Sequence, residues 1–568
     1  MNRPLVFHAV SVFMGSLASL ILLNNAFLGA IFSALFLSVL FFTKTPRDFT
    51  FVIIFFILGI VSFQTYFNIN MSSNVKIRVV DKKFYYYIGD YQGRKIILNG
   101  NTKGLKEGQK IEAQGSYKNE RDYQKGIVAS YYIENYSPCK EDFIYSLYQM
   151  KRNMYMNFNT ILGQENSSIL MALCFGDTSY LSKTQMDEFN RLGVIHAISV
   201  SGFHMAVIYG VLEKILGLKG ALAASFLYVI FTGIQAATLR AFIMIFLLKF
   251  SKYAYKNYDN ISSLSMAALI LLVIKPYYIG DIGFMLSFLS TLGIILYYNK
   301  FLKLFCKLPE KLNETLSISI SAQLFSLPYI AFTLKQFSPG FLIGNFILLP
   351  FYSVLVLIGN AAFLFSFSGT IFNILCGYIS MVMKALKGAN YMLLNICPAV
   401  TNFSYLYGVA LMLIYIGFIF YKKGYKYTVY YPLFVIIFLI VNNFCFFPEI
   451  YYSKINSGST IFINFKGECI MVCNYDNSKV TEIYKLKEEM GVTSVVSNIK
   501  NTEIVNLSKD FSVKVYPTKN LQDFNNIEVY HYNDVYPIYS KSVNTYSDLY
   551  VIILNRLFHL TRILGGKN

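Results

Sequence analysis

Gly193-Val-Ile-His196-Ala-Ile-Ser199-Val-Ser201-Gly202-Phe-His204-Met-Ala-Val-Ile-Tyr-Gly210 decides how the chain is read. The stretch is apolar enough to lie at membrane depth, yet positions 196–204 hold two imidazoles, two hydroxyls and a glycine. Polar and ionisable side chains are costly inside a bilayer, and they face a cavity, a partner or a pathway. Ser201-Gly202 is also a place where a helix can break, and broken backbone survives at that depth only where protein or water satisfies it. His196 and His204 are eight residues apart, about 80° around a continuous helix, so unbroken they would share one side. Three readings stay open from the stretch alone. Small and hydroxyl residues glue helices together; the same groups line a route; or Ser201 acts as a nucleophile with His204 or His196 as its base.

The rest of the chain supports a membrane setting. Of 568 residues 55% are hydrophobic and 14% charged, and mean hydropathy is +0.46. These values lie outside the range of soluble domains. The formal charge of +19 suits an anionic partner or anionic lipid without choosing between them. Eight cysteines are scattered without a C-x-x-C or a Cys/His ligand spacing, which argues against a zinc site. Cys469 and Cys473, four apart in a strand-like run, would sit about 13 Å apart, too far for a disulfide.

Outward from the central stretch, the parts fall into order. Leu5–Leu23 and Ala26–Phe42 are long apolar runs separated by Asn24-Asn25, a membrane hairpin and not a cleavable signal. Lys44 and Arg47 place the following loop in the cytoplasm, and a third span at about 51–67 crosses outward. Residues 70–140 read instead as a small β domain. Five strand-like runs (75–80, 84–88, 95–98, 110–116 and 126–133) are punctuated by Gly and Asn, the pattern of an OB-like barrel. Residues 71–140 hold 13 Lys/Arg against 7 Asp/Glu, with interleaved tyrosines. Arg94, Lys95, Lys103, Lys106, Lys118 and Arg121, with Tyr117 as a stacking face, are the candidate contacts to single-stranded nucleic acid. The plainer alternative is that Lys and Tyr merely cover a β surface. Residues 141–192 are an amphipathic connector, with a surface helix at about 140–161 and an apolar run, 168–175, too short to span.

Ten apolar runs follow between 193 and 447. Basic clusters at Lys214/Lys219, Lys252/Lys256, Lys300–Lys311 and Lys422–Lys426 fall on one side, which puts both soluble domains outside. Gln235, Arg240, Asp281 and Asn345 interrupt these runs, together with Gln323, Pro328 and Pro350, as a permeation route would require. Arg240 either attracts phosphate or forms an ion pair with Asp281 or Asp187. The tail, 449–568, reads as a small α/β domain with strands at 460–465, 469–473, 492–496, 511–515 and 550–554 and a helix at 479–490. With 13 Lys/Arg and 12 Asp/Glu it has no basic excess. The expected fold is a polytopic α-helical membrane protein of about 10–13 spans, with an external OB-like β-barrel domain and a small external α/β C-terminal domain. Its divisions are 1–69, 70–140, 141–192, 193–448 and 449–568.

Several strings resemble the ComEC-type competence proteins, the DNA-internalisation channels of transformable bacteria. They are Phe189 through His204, Thr238-Leu-Arg240-Ala-Phe-Ile-Met244, Pro276 with Asp281-Ile-Gly283-Phe-Met-Leu286-Ser287-Phe288, Gln323 with Pro328, and Asn345 with Pro350. The resemblance implies passage of single-stranded DNA across the plasma membrane, with a separate surface DNA receptor and a cytosolic ATPase or helicase-like motor as partners. His196, Ser199, Ser201, Gly202, His204, Gln235, Arg240, Asp281 and Asn345 would then line the route. The chain carries no G-x-x-x-x-G-K-[ST] of its own, and no cofactor is implied. Many members end in a metallo-β-lactamase-like domain with H-x-H-x-D-H. Here the corresponding stretch is Val495-Val-Ser497-Asn498-Ile-Lys500-Asn501, and the tail holds only His531 and His559. A reduced, metal-free remnant without nuclease activity is the expectation. An intramembrane serine hydrolase, or a transporter of another envelope polymer, is the alternative.

Overall fold

The computed structural model describes the chain except residues 1–2, 84–85, 199, 399, 403–404, 445, 456–457, 474–491, 497–498, 500, 509–510, 518–523, 532–533, 540–546, 554–555 and 563–568. It divides into two compact units, the first holding residues 1–333 and 337–401 and the second 334–336 and 402–568. The division differs from a boundary at 448, because the last two helices group with the tail.

The first unit opens with helices α1 (Pro4–Asn24), α2 (Ala26–Thr43) and α3 (Pro46–Phe67). Asn25 ends α1 and starts α2, its side chain accepting the Leu28 N–H at 3.1 Å. Thr45 does the same for α3, with proline at the first helical position. Strands β1 (Asn74–Lys82), β2 (Tyr87–Tyr91), β3 (Arg94–Gly100), β4 (Lys110–Lys118) and β5 (Ile127–Pro138) close into a barrel in the order β1-β2-β3-β5-β4. β3 and β5 run parallel, and β4 pairs antiparallel with β1 to complete the circle. The period-two pattern of β1 puts Val75, Ile77 and Val79 inside, where they meet Ile96, Leu98, Ile111, Tyr131 and Ile133. The second strand begins later than the sequence suggests, and residues 84–85 of the expected run lie outside the described residues.

The barrel is bolted to the helices. The Arg94 guanidinium donates to the carbonyl oxygens of Thr65 (2.7 Å) and Asn68 (3.3 Å) at the end of α3. Tyr66 Oη donates to the Gly126 carbonyl at 3.1 Å. Gly126, at φ 72°, leaves room for the Tyr277 ring, which would lie 2.4 Å from an added Cβ. Barrel side chains and helix side chains share one apolar core, with Phe63, Phe67, Leu271, Tyr277 and Phe284 on the helical side.

After the barrel come α4 (Phe143–Leu162), α5 (Gln164–Phe175), α6 (Lys183–Arg191), α7 (Ile195–Ile198), α8 (Gly202–Phe231), α9 (Ala236–Tyr253), α10 (Asn260–Ile274), α11 (Ile282–Leu304), α12 (Glu310–Thr333), α13 (Phe341–Leu364) and α14 (Gly369–Ile396). The run at 168–175, too short to span, is a core helix. Ser167 through Phe175 on α5 are all buried, in the middle of the core built by α4, α8, α13 and α14. Gly217 leaves helical geometry (φ 66°, ψ −179°) and divides α8 into two arms, at the gap between the apolar runs 193–216 and 220–234 of the sequence.

Among the described residues eight helical segments are long and apolar enough to cross a membrane, α7 and α8 counting together as one, and the chain is a multi-pass membrane protein. Asn260–Ile274, Leu406–Lys422 and Lys426–Ile440 are shorter apolar helices. The 18-residue α9 falls outside the eight because Arg240, Lys249 and Lys252 interrupt it. These account for most of the difference from the expected 10–13 spans.

The second unit holds helices α15 (Tyr405–Lys422) and α16 (Tyr431–Phe444) and the tail. Among the described residues the tail is all strand. Glu449–Ile455, Gly458–Phe465, Glu468–Cys473, Ser494–Val496, Ser547–Ile553 and Arg556–Arg562 form a six-stranded sheet. Glu503–Ser508, Phe511–Pro517, Phe524–His531 and Asp534–Tyr539 form a four-stranded antiparallel meander. Ile461, Ile463, Val513, Val515, Val529 and Ile552 fill the core between them. The expected helix at 479–490 lies outside the described residues.

Candidate functional site: a broken helix beside a buried arginine

The central stretch does break. α7 lasts four residues, Val200 and Ser201 are non-helical, and α8 starts at Gly202 with Ser201 as its N-cap. A helix start leaves its first N–H groups without partners. Here the Ser201 N–H donates to Nδ1 of His204 at 3.0 Å, and Ser201 Oγ lies 3.0 Å from the same nitrogen. This is a capping box in which an imidazole takes the place usually held by Glu or Gln. His204 is fully buried, and its Nε2 has no hydrogen-bond partner among the described residues. An accepting Nδ1 puts the ring proton on Nε2, so a buried N–H points into the bundle unmet.

The approach to this break is pinned. Gly193 has φ 69°, and a Cβ there would lie 2.6 Å from the Phe341 Cα at the start of α13. The Ser338 hydroxyl donates to the Arg191 carbonyl at 2.5 Å, and the Arg191 guanidinium donates to the Cys397 carbonyl at 3.2 Å. His196 on α7 stays exposed, unlike His204.

Arg240, on the first turns of α9, faces the break. It is 8% exposed. Its Nε donates to Ser287 Oγ on α11 at 2.8 Å, Nη1 lies 3.7 Å from Met244 Sδ, and the guanidinium carbon stands 5.9 Å from the Phe288 ring centroid. Nη2 lies 2.8 Å from where a Gly202 Cβ would be. A side chain at 202 would push the guanidinium out of this position. Among the described residues no carboxylate pairs with Arg240. Of its two expected partners, Asp281 caps α11 instead, accepting the Phe284 N–H at 2.7 Å.

The other sequence-predicted positions scatter around this centre. Gln235 is the N-cap residue of α9, its side-chain nitrogen 3.1 Å from where a Gly176 Cβ would be. Asn345 on α13 is buried, donating weakly to Ser319 Oγ at 3.4 Å, with its Oδ1 unmet. Ser199 lies outside the described residues. The structure thus brings Ser201, Gly202, His204 and Arg240 together, and holds Asp281 and Asn345 in separate structural tasks. Sequence reasoning passed over Ser287, Met244 and Phe288, which orient the guanidinium. Their signal was the i,i+4 spacing from Arg240 to Met244 and a hydroxyl in an otherwise apolar span.

On the barrel, the candidate strand-binding residues separate into two groups. Lys103, Lys106, Lys118 and Arg121 are exposed. Arg94 is spent on the seam with α3, and Lys95 lies over the Tyr277 ring at 4.7 Å, where burial lowers its pKa. Tyr117 packs partly against the barrel core. A groove of about 570 Å³ on the outer face is lined by Lys76, Arg78, Asp90, Tyr91, Lys110 and Glu112, among others. Arg78 is held there by Asp142, the N-cap of α4, whose carboxyl it pulls down to about 2.

The family profile described as "Competence protein" matches residues 173–423, from the end of α5 to α15. Through this bundle the chain is similar to the competence-protein family. The ComE operon protein 3 of Bacillus subtilis is 27% identical over 255 residues, covering 43% of this chain and 32% of that protein. A Mycoplasma genitalium protein named only as uncharacterized MG316 is 28% identical over 140 residues, 24% of this chain and 36% of its own. The matched region thus spans about a third of the length of each of these curated relatives. No solved structure matches the chain.

Proposed function

We propose that the chain is a ComEC-type channel that admits single-stranded DNA through the plasma membrane during natural transformation. The observation that carries this reading is Arg240. A buried cation with no carboxylate partner is expensive in a bilayer-embedded bundle. Its cost is understandable where a polyanion passes. The helix break at Ser201-Gly202 is of the kind that lines routes through membrane proteins. The competence-family match of the same bundle supports the assignment. His196, Ser199, Ser201, Gly202, His204, Gln235, Arg240, Asp281 and Asn345 are the proposed lining.

The barrel is read as OB-like, its five closed strands and the β3–β5 parallel pair supporting that reading, and as external from the side on which the basic loops fall. Lys103, Lys106, Lys118 and Arg121 would gather the strand by phosphate attraction. Driving force would come from a cytosolic ATPase or helicase-like motor, and delivery from a surface DNA receptor. The tail is read as a reduced metallo-β-lactamase-like domain without nuclease activity. Deletion of the chain followed by an uptake assay with labelled DNA tests the reading. Label confined outside the cytosol is expected, and undiminished internalisation refutes it.

One observation favours a second reading, an intramembrane serine hydrolase: Ser201 Oγ is within hydrogen-bond reach of an imidazole nitrogen. Against it, the same Nδ1 already accepts the Ser201 N–H. A fluorophosphonate probe separates the readings, since only a hydrolase is labelled in a way that Ser201→Ala abolishes.

A further inference from the structure

We propose that Arg240, Ser287 and the first turn of α8 form a seat for one phosphate group, so that the bundle selects phosphodiester polyanions. The inference rests on the channel reading and adds a discrete binding site to it. Three independent features converge on one point. The helix α8 begins at Gly202, and a helix start presents unpaired N–H groups and the positive end of the dipole. The Arg240 side chain, 8% exposed, reaches that start with Nη2, 2.8 Å from the position of a Gly202 Cβ. Nη2 makes no hydrogen bond among the described residues, whereas Nε and Nη1 are committed to Ser287 and Met244.

The chemistry of the donor set narrows the ligand. A guanidinium offers a planar fork that matches two oxygens of a tetrahedral oxyanion. With Nε pinned by Ser287, the outer edge of the fork is fixed in direction and the side chain loses little further freedom on binding. A neutral polymer would leave the cation uncompensated, and a carboxylate partner is missing among the described residues. Because the seat is built on a single arginine, its grip on a phosphate is modest, which suits transit from one phosphodiester to the next. Ser287 is a positioning residue here: its hydroxyl touches the arginine, not the ligand. Gly202 is the steric gate, since a methyl group there would displace the guanidinium.

The full chain, reconstituted in lipid nanodiscs, is tested with inorganic phosphate as probe, by the thermal unfolding midpoint and by 31P line broadening. Phosphate is expected to raise the midpoint and broaden its own resonance. Both effects should vanish in Arg240→Gln, persist weakly in Arg240→Lys, and need roughly tenfold more phosphate in Ser287→Ala. Gly202→Ala should behave as Arg240→Gln does while retaining its helical circular dichroism, which keeps the test valid if the arginine variant fails to fold. Phosphate effects that are absent from the wild type, or unchanged in Gly202→Ala and Arg240→Gln, overturn the seat. The two proposals fail separately. If phosphate has no effect yet deletion of the chain stops DNA uptake, the seat falls and the channel stands. If phosphate binds as described yet deletion leaves uptake intact, the channel reading falls.

Discussion

Replacing His204 separates a structural imidazole from a chemical one. In His204→Ala the Ser201 N–H loses the Nδ1 acceptor it holds at 3.0 Å, and a lost helix cap costs about 1 kcal/mol. The ring is fully buried, so the emptied volume costs about 2–3 kcal/mol more. Removing the unmet Nε2–H returns about 1 kcal/mol. The net loss is about 2–3 kcal/mol, visible as a lowered thermal midpoint of the purified chain. His204→Gln has a different expectation. Glutamine at the third helical position restores the cap acceptor and has a similar volume, so it should stay within about 1 kcal/mol of the wild type. DNA uptake should follow stability: impaired in the alanine variant and largely restored in the glutamine variant. A glutamine variant that folds as stably as the wild type but internalises no DNA would refute a capping role, because the ring's proton chemistry would then be essential.

Four further outcomes are expected. Gly126→Ala drives a methyl group into the Tyr277 ring at a φ of 72°, so it should loosen the barrel from the helices by about 2 kcal/mol, read as faster proteolysis at residues 68–74. Gly193→Ala meets backbone of α13, which cannot yield; a loss of more than about 3 kcal/mol is expected and should appear as failure to accumulate in the membrane. The Arg78–Asp142 pair carries a pH dependence. The Asp142 carboxyl is depressed to about 2, so its stabilisation is present above the ordinary aspartate range near 4 and is lost as pH falls towards 2. The pair is partly solvent-screened, so roughly 1 kcal/mol is at stake, and Asp142→Asn should abolish this part of the acid sensitivity. Changing Lys103, Lys106, Lys118 and Arg121 together to Gln should weaken oligonucleotide binding and reduce the slope of log K against log salt by about 3; an unchanged slope would show that the strand binds elsewhere.

What the sequence could and could not reveal has physical reasons. The break at Ser201-Gly202 was legible because glycine and serine act locally, and the division of α8 was legible because Lys214 and Lys219 interrupt the apolar sequence there. The barrel strands were legible because β1 alternates apolar and polar residues over a closed core. The roles of Arg94 and Lys95 were not: a basic residue on a strand looks alike whether it faces solvent or spans a seam to Thr65 and Tyr277. The burial of α5 was hidden because its apolar run, 168–175, is too short to show which face a helix buries, and only its packing in the core with α4, α8, α13 and α14 decides. In the tail, Phe524–His531 pairs with Phe511–Pro517 although Asn525 and Asn526 weaken its strand signal, the register shifting at Asn525, and tertiary pairing overrides propensity there. The isolation of Arg240 from Asp281 is a tertiary fact that no spacing encodes.

The central claim is that a strand of DNA passes beside the broken start of α8. A photo-crosslinking residue placed at Phe203, next to Gly202 and exposed, tests it in cells taking up radiolabelled DNA. A crosslink to single-stranded DNA is expected at Phe203, dependent on Arg240 and absent from a control placed at Phe367 in the turn after α13. Normal uptake with crosslinks only to the barrel, and none at Phe203, would contradict it.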